Sequence, residues 1–221
     1  ALRATKNTLV INGFSIVLGV VVNVGLAILI NEINSKVFKK VTQTVMLFPY
    51  FISWIIVGMV ALALFDEDTG MINSMLVHFG GEAVEWYSNA DYWWAIMIFT
   101  TVWKGAGYGS IIYYCALSGF DQSLYEAAEI DGAGKVKCFF NITIPMSAPM
   151  IFFNVVTMLI GTLQYNGTLT YAPNGGEGKD GSLFMYAVLI YEKAFQELSF
   201  GYASALAWLL LVFVLALTGL L

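Results

Sequence analysis

Long runs without a charged residue alternate with short polar stretches along this chain. Residues 7–31 carry no charge, and neither do residues 41–65. Residues 92–120 hold a single one, Lys104, while residues 138–176 and 198–221 hold none. A helix needs about 20 apolar residues to cross roughly 30 Å of hydrocarbon. The pattern therefore predicts five membrane-spanning helices: Val10–Ile30, Val45–Phe65, Tyr92–Leu117, Ala148–Tyr171 and a last one from Tyr202 onward. Barrel strands would show alternation over segments of about 10 residues. These runs are continuous and twice that length, and helices satisfy their own backbone groups in lipid. The expected fold is all-α, a polytopic membrane helix bundle forming one transmembrane domain over residues 1–221. The chain starts without Met and stops inside an apolar run, which reads as a piece cut at both ends.

Composition agrees and excludes other classes. Of the 221 residues, 59% are hydrophobic and 11% charged. A soluble domain carries about 25% charged residues, and disorder needs low hydrophobicity. The net charge of −5 argues against a nucleic-acid surface. Cys115 and Cys138 are isolated and have no metal-ligand spacing. His78 is the sole histidine and reads as a solvated loop residue.

Orientation by lysine count is nearly balanced. Lys36, Lys39, Lys40, Lys135 and Lys137 share one side, against Arg3, Lys6, Lys179 and Lys193 on the other. The excess places the first set on the cytoplasmic side. Trp86, Tyr87, Tyr92, Trp93 and Trp94 read as an aromatic belt at the opposite boundary.

The loop from Asp121 to Pro149 is polar yet patterned. Asp121 or Ser123 can cap a short helix, and Ser123 with Glu126 has capping-box spacing. Phe120, Leu124, Ala127 and Ala128 fall on one face, whose small alanines allow close approach of another surface. Gly132 and Gly134 turn the chain. A second short helix with Val136, Phe139 and Phe140 apolar follows. Pro145 and Pro149 then mark the start of the next span, where a missing N–H costs nothing. Read alone, this is a docking element for a partner or a helix lying against lipid.

The segment resembles the EAA loop of inner-membrane permease subunits of binding-protein-dependent ABC importers. Glu126-Ala127-Ala128 is followed after three residues by Gly132, and nine residues later by Ile142-Thr143-Ile144-Pro145. The departure from the family pattern is Ile144 in place of Leu. Ile130-Asp131-Gly132-Ala133 is similar to the carbohydrate-uptake branch. Asn7-Thr8, Trp103-Lys104-Gly105 and Gly201-Tyr202-Ala203-Ser204-Ala205 also resemble family segments. Gly175-Gly176 resembles a G-G-P remnant, with Glu177 where Pro is usual. The resemblance implies a type I ABC importer permease-like fold, with five spans of a six-helix core, in a bacterial-type cytoplasmic (inner) membrane. It implies that residues 118–147 form a cytoplasmic coupling loop and that residues 66–91 and 172–200 face outward. Ten of the fifteen acidic residues then lie outside. Glu126, Ala127, Ala128, Asp131, Gly132 and Pro145 are the expected ATPase-coupling residues. The implied partners are a second, different permease subunit, two ATPase subunits, an extracytoplasmic solute-binding protein and membrane lipid, with no nucleic acid.

No enzyme site is legible. Gly178-Lys179 imitates a phosphate-binding loop, but Pro173 stands where Gly is needed and Asp180 where Ser or Thr is needed. No cofactor is expected on this chain; ATP and Mg belong to the implied ATPase. No metal site and no catalytic residue are expected.

Polar residues within the spans are the candidates for a translocation path. A mid-membrane charge costs about 2.5–3.5 kcal/mol on insertion scales, so Lys104 either meets substrate or is paired within the bundle. Gly105, Gly107 and Gly109 beside it include a GxxxG pair, which reads as close helix packing rather than a ligand site. Asn154, Gln164, Tyr165 and Asn166 offer donors and acceptors that suit sugar hydroxyls, or interhelical hydrogen bonds. Asn12 and Asn23 read as packing residues. Leu183–Phe195 reads as a short amphipathic outer helix. The expected function is a sugar or oligosaccharide permease subunit. The alternatives are the same architecture for another solute, such as an oxyanion or amino acid, and a passive channel or scaffold.

Overall fold

A computed structural model describes residues 2–161 and 178–220. Every regular element among them is helical: α1 (Leu2–Glu32), α2 (Lys36–Phe51), α3 (Trp54–Phe65), α4 (Met71–His78), α5 (Ala90–Ser118), α6 (Gln122–Ile130), α7 (Lys135–Cys138), α8 (Ile144–Gly161), α9 (Tyr186–Tyr191) and α10 (Phe200–Leu220). α1, the continuous run Lys135–Gly161 and α10 are long and apolar enough to cross a membrane. α5 has the length, with 29 residues, but is less apolar than these because it carries Lys104 and several glycines and tyrosines.

Two expected boundaries are corrected. The second span is not one straight helix from Val45 to Phe65. α2 and α3 meet at a bend of 101°. Pro49 lies inside the last turns of α2 and cannot donate to the carbonyl four residues back. Ser53 then starts a fresh helix, its hydroxyl accepting from the Ile56 N–H at 3.4 Å. The second short helix of the 121–149 loop is not separate either. α7 runs through a π-helical turn at Phe139–Thr143 directly into α8. A π turn widens the hydrogen-bond spacing; Pro145 follows it in the first turn of α8 and Pro149 lies inside α8, and neither stops the helix.

The chain divides into two compact units. One comprises Ala1–Ile16, Ile52–Thr101 and Leu159–Leu221. There Ala4, Leu189 and Leu206 are buried together, with Phe184, Tyr186 and Ile190 packed against them. Asn7, 3% exposed, holds the turn before α9, donating to the carbonyls of Gly181 at 3.0 Å and Phe184 at 3.2 Å. The Thr8 hydroxyl accepts from the Tyr186 N–H at 2.8 Å. The Asn7-Thr8 pair is thereby explained as a clasp. The aromatic belt is narrower than expected: Trp93 is 1% exposed and packs edge-on against Tyr87. The Trp94 indole donates to the Ser182 carbonyl at 2.8 Å.

The other unit comprises Val17–Phe51 and Val102–Met158. Its core holds Ala27, Tyr113 and Leu117, flanked by Val24, Ile28, Tyr114, Phe120 and Ile151. Asn23, 1% exposed, lies against Gly109, where a Cβ would overlap its amide. Gly107 lies against the Met46 carbonyl in the same way, whereas a Cβ at Gly105 would meet nothing within 4 Å among the described residues. Close packing is therefore made by Gly107 and Gly109, not by the Gly105–Gly109 pair.

Candidate functional site

The 121–149 segment builds an exposed helix, a glycine turn, and a second helix that runs on into α8. Asp121, not Ser123, is the N-cap of α6: its carboxylate accepts from the Ser123 N–H at 3.0 Å. That hydrogen bond holds the Asp121 carboxyl below its ordinary range. No residue of α6 is buried. Glu126 and Ala127 are exposed and Ala128 is half-buried. Leu124 and Ile130 present apolar surface outward, Ile130 being 87% exposed.

α6 ends in a Schellman motif. Asp131 is the C-cap, and Gly132 follows at φ +77°, in the left-handed region that favours glycine. The Gly132 N–H donates to the Glu129 carbonyl at 3.0 Å, and the Ala133 N–H to the Ala128 carbonyl at 2.9 Å. The next helix opens at Lys135 and runs through the π turn, with Pro145 just beyond it. Isolated helices shorter than about 12–15 residues are marginal, so nine-residue α6 needs tertiary support. It comes from Tyr125, whose hydroxyl is 3.0 Å from the Thr143 hydroxyl in the π turn. The sequence pattern assigned neither residue a role, although Tyr125 directly precedes Glu126 and Thr143 falls within the Ile142–Pro145 motif. The Glu32–Lys135 ion pair at 3.8 Å is exposed on both sides and adds little.

The path candidates separate into three cases. Lys104 is paired: its ammonium donates to the carbonyls of Pro49 at 3.2 Å and Tyr50 at 2.8 Å. These are carbonyls of the α2 C-terminus, left over where the helix bends, and a cation there is favourable. The Tyr50 and Tyr108 rings stack at 4.5 Å and 12°, each about two-fifths exposed. Asn154 is 4% exposed, with its side-chain oxygen meeting no hydrogen-bond donor among the described residues. Gln164, Tyr165 and Asn166 lie outside the described residues, as do Gly175 and Gly176.

Residues 15–221 match the family described as binding-protein-dependent transport system inner membrane component. The chain belongs to that family. Among the relatives of this inner-membrane component is the polygalacturonan/rhamnogalacturonan transport system permease protein YteP of Bacillus subtilis, 31% identical over 200 residues. That match covers 90% of this chain and 62% of YteP. Protein LplB of the same organism is 35% identical over 65% of this chain and 45% of its own length. The chain thus spans roughly half to three-fifths of the length of these two relatives. The lactose transport system permease protein LacF of Rhizobium radiobacter is 30% identical over 98% of this chain and 73% of its own. The structure resembles a chain of the bacterial alginate ABC transporter, crystallised with an alginate pentasaccharide-bound periplasmic protein. The TM-score is 0.88 at 29% identity, over 98% of this chain and 75% of that one. The likeness establishes the all-α permease fold of ABC importers for this inner-membrane component.

Proposed function

We propose that this chain is a permease subunit of an ATP-driven importer of sugars or oligosaccharides, coupled to a separate ATPase through α6. The observation that carries the reading is α6 itself. It has no buried residue, is capped by Asp121, closed by the Gly132 turn and tied by the Tyr125–Thr143 hydrogen bond to the helix that becomes α8. A free-standing helix with a small-residue face, rigidly joined to a spanning helix, transmits displacement. Glu126, Ala127, Ala128, Asp131 and Gly132 would seat on the ATPase, and Pro145 would connect the docking element to α8. Docking that differs between two ATPase states biases a two-state bundle. In this reading α6 is cytoplasmic, residues 66–91 face outward, and the chain works in a cytoplasmic (inner) membrane with a second permease subunit and a solute-binding protein. ATP and Mg bind the ATPase. The sugar class is supported by relatives named for polygalacturonan, lactose and arabinooligosaccharide transport. The partly exposed Tyr50–Tyr108 stack offers apolar ring faces of the kind sugars pack on, and Asn154, Gln164, Tyr165 and Asn166 offer amide and phenol groups for hydroxyls.

The test is co-purification of the full-length subunit in gentle detergent, with an Ala127→Cys variant for crosslinking. An ATPase and a second permease in the preparation, with a crosslink from position 127 to the ATPase, are the expected result. A subunit that comes alone and forms no crosslink overturns the coupling role and reopens the channel reading. Uptake of labelled oligosaccharides against sulfate and amino acids by the reconstituted complex then tests the solute class.

A further inference from the structure

The short helix α4 has no part in the transport reading, yet its orientation is fixed in detail. Asn73, 3% exposed, sets its roll. The Asn73 amide nitrogen donates to the carbonyls of Glu67 at 3.0 Å and Val84 at 2.9 Å. Its side-chain oxygen accepts from the Val84 N–H at 3.1 Å and the Trp86 indole N–H at 2.8 Å. Both amide hydrogens and both oxygen lone pairs are used, so the Asn73 side of α4 is locked onto the loop that follows.

Facing away from that lock, Met71, Met75 and Phe79 succeed one another at four-residue intervals, with Ile72 and Leu76 beside them. Met71, Met75 and Phe79 are 50%, 53% and 86% exposed. No Asp, Glu, Lys or Arg interrupts this arc; His78 borders it, its ring 5.5 Å from that of Phe79. The acidic residues of the region, Asp66, Glu67, Asp68, Glu82 and Glu85, all lie in the flanking loops. The Glu67 carboxylate is tied to the Ser88 N–H at 2.7 Å.

Two neighbours say what covers the arc. α3 ends at Phe65, close before α4, and leaves Ile55, Ile56, Met59 and Val60 exposed, so the apolar surface belongs to a bent pair apolar enough to span. The loop that Asn73 holds carries Trp86, whose ring meets Phe65 at 5.6 Å and Tyr92 at 5.2 Å. Trp and Tyr collect at the membrane–water boundary. We propose that α4 is an interfacial helix that beds its Met71–Met75–Phe79 face into the boundary between lipid headgroups and acyl chains. Asn73 is the positioning residue that turns this face to lipid, and the helix holds the Phe65 end of α3 at membrane level. The acidic flanking loops stay in water and favour zwitterionic over anionic headgroups.

The full-length subunit, assembled with its co-purifying chains in phosphatidylcholine nanodiscs, provides the test. Met75→Cys, Phe79→Cys and Glu85→Cys are each labelled with NBD in a Cys115→Ser, Cys138→Ala background. The Met75 and Phe79 labels are expected to be quenched by 5-doxyl phosphatidylcholine and to be several-fold less accessible to iodide than the Glu85 label. Equal iodide access at all three positions overturns the proposal. So does shielding of positions 75 and 79 from both quenchers, because the face would then be covered by protein. Two labelled positions guard against one substitution that disturbs the fold. Either result is independent of which solute the importer moves.

Discussion

The Lys104 ammonium lies 2.8 Å from the Tyr50 carbonyl and also holds the Pro49 carbonyl. The one charge inside the third apolar run thus caps the end of α2 where the chain turns by 101°. Hydrogen bonds from a charged group contribute about 1.5–3 kcal/mol. Lys104→Met is expected to lower the thermal stability of the purified complex by several degrees while leaving the affinity for transported solute in place. A variant with unchanged melting and a raised half-saturation for uptake would show instead that the ammonium serves substrate.

Gly132 closes α6 at φ +77°, which costs a non-glycine residue about 1–3 kcal/mol. Gly132→Asp is expected to insert normally, fail to retain the ATPase and lose uptake. Surface biotinylation, co-purification and uptake separate these outcomes. Wild-type uptake by the variant would remove α6 from the coupling role.

Gly105 and Gly107 lie two residues apart on α5 and make opposite demands. A Cβ at position 107 overlaps the Met46 carbonyl, while one at position 105 meets nothing among the described residues. Gly107→Ala should destabilise the complex, since the clash is with backbone. Gly105→Ala should be neutral or stabilising by up to about 1 kcal/mol, the helix-propensity gain. Melting temperatures of the pair check this, and equal effects would contradict the packing.

The Asp121 cap titrates. Its carboxyl lies below the ordinary 3.8 because its ionised form accepts the Ser123 N–H. A depressed folded-state pKa contributes stability that is fully present above 3.8 and lost as pH falls through the lower folded value. Amide exchange in the first turn of α6 should therefore be unchanged from pH 7 to 5, once the intrinsic rate is corrected, and lose protection below 3.8. Asp121→Ala should abolish that step.

The Asn73 lock predicts a positional result. Asn73→Ala leaves the Trp86 indole, the Val84 N–H and two carbonyls without their partner. Unsatisfied buried groups cost about 1–3 kcal/mol. Hydrogen exchange should rise across residues 67–86 and stay unchanged in α6. A uniform rise across the chain would indicate global destabilisation instead.

What the sequence by itself determined follows from interactions that are local. A helix satisfies its backbone within four residues, so long runs with no charge, or with Lys104 alone, announce α1, α5, α8 and α10 directly. The α6 cap and the Gly132 turn are equally local, and the EAA spacing marks them with the family. The tertiary structure decided what depends on residues far apart in the chain. Lys104 meets Tyr50 across 54 positions. Asn7 meets Gly181 across 174. Gly107 rather than Gly105 faces the neighbouring backbone, and Trp93 is buried where the belt pattern places it at the boundary. Hydrophobic periodicity reports that a side chain is apolar, or that a charge is out of place. Which carbonyl, ring or glycine lies opposite depends on how the helices pack, which no local pattern records.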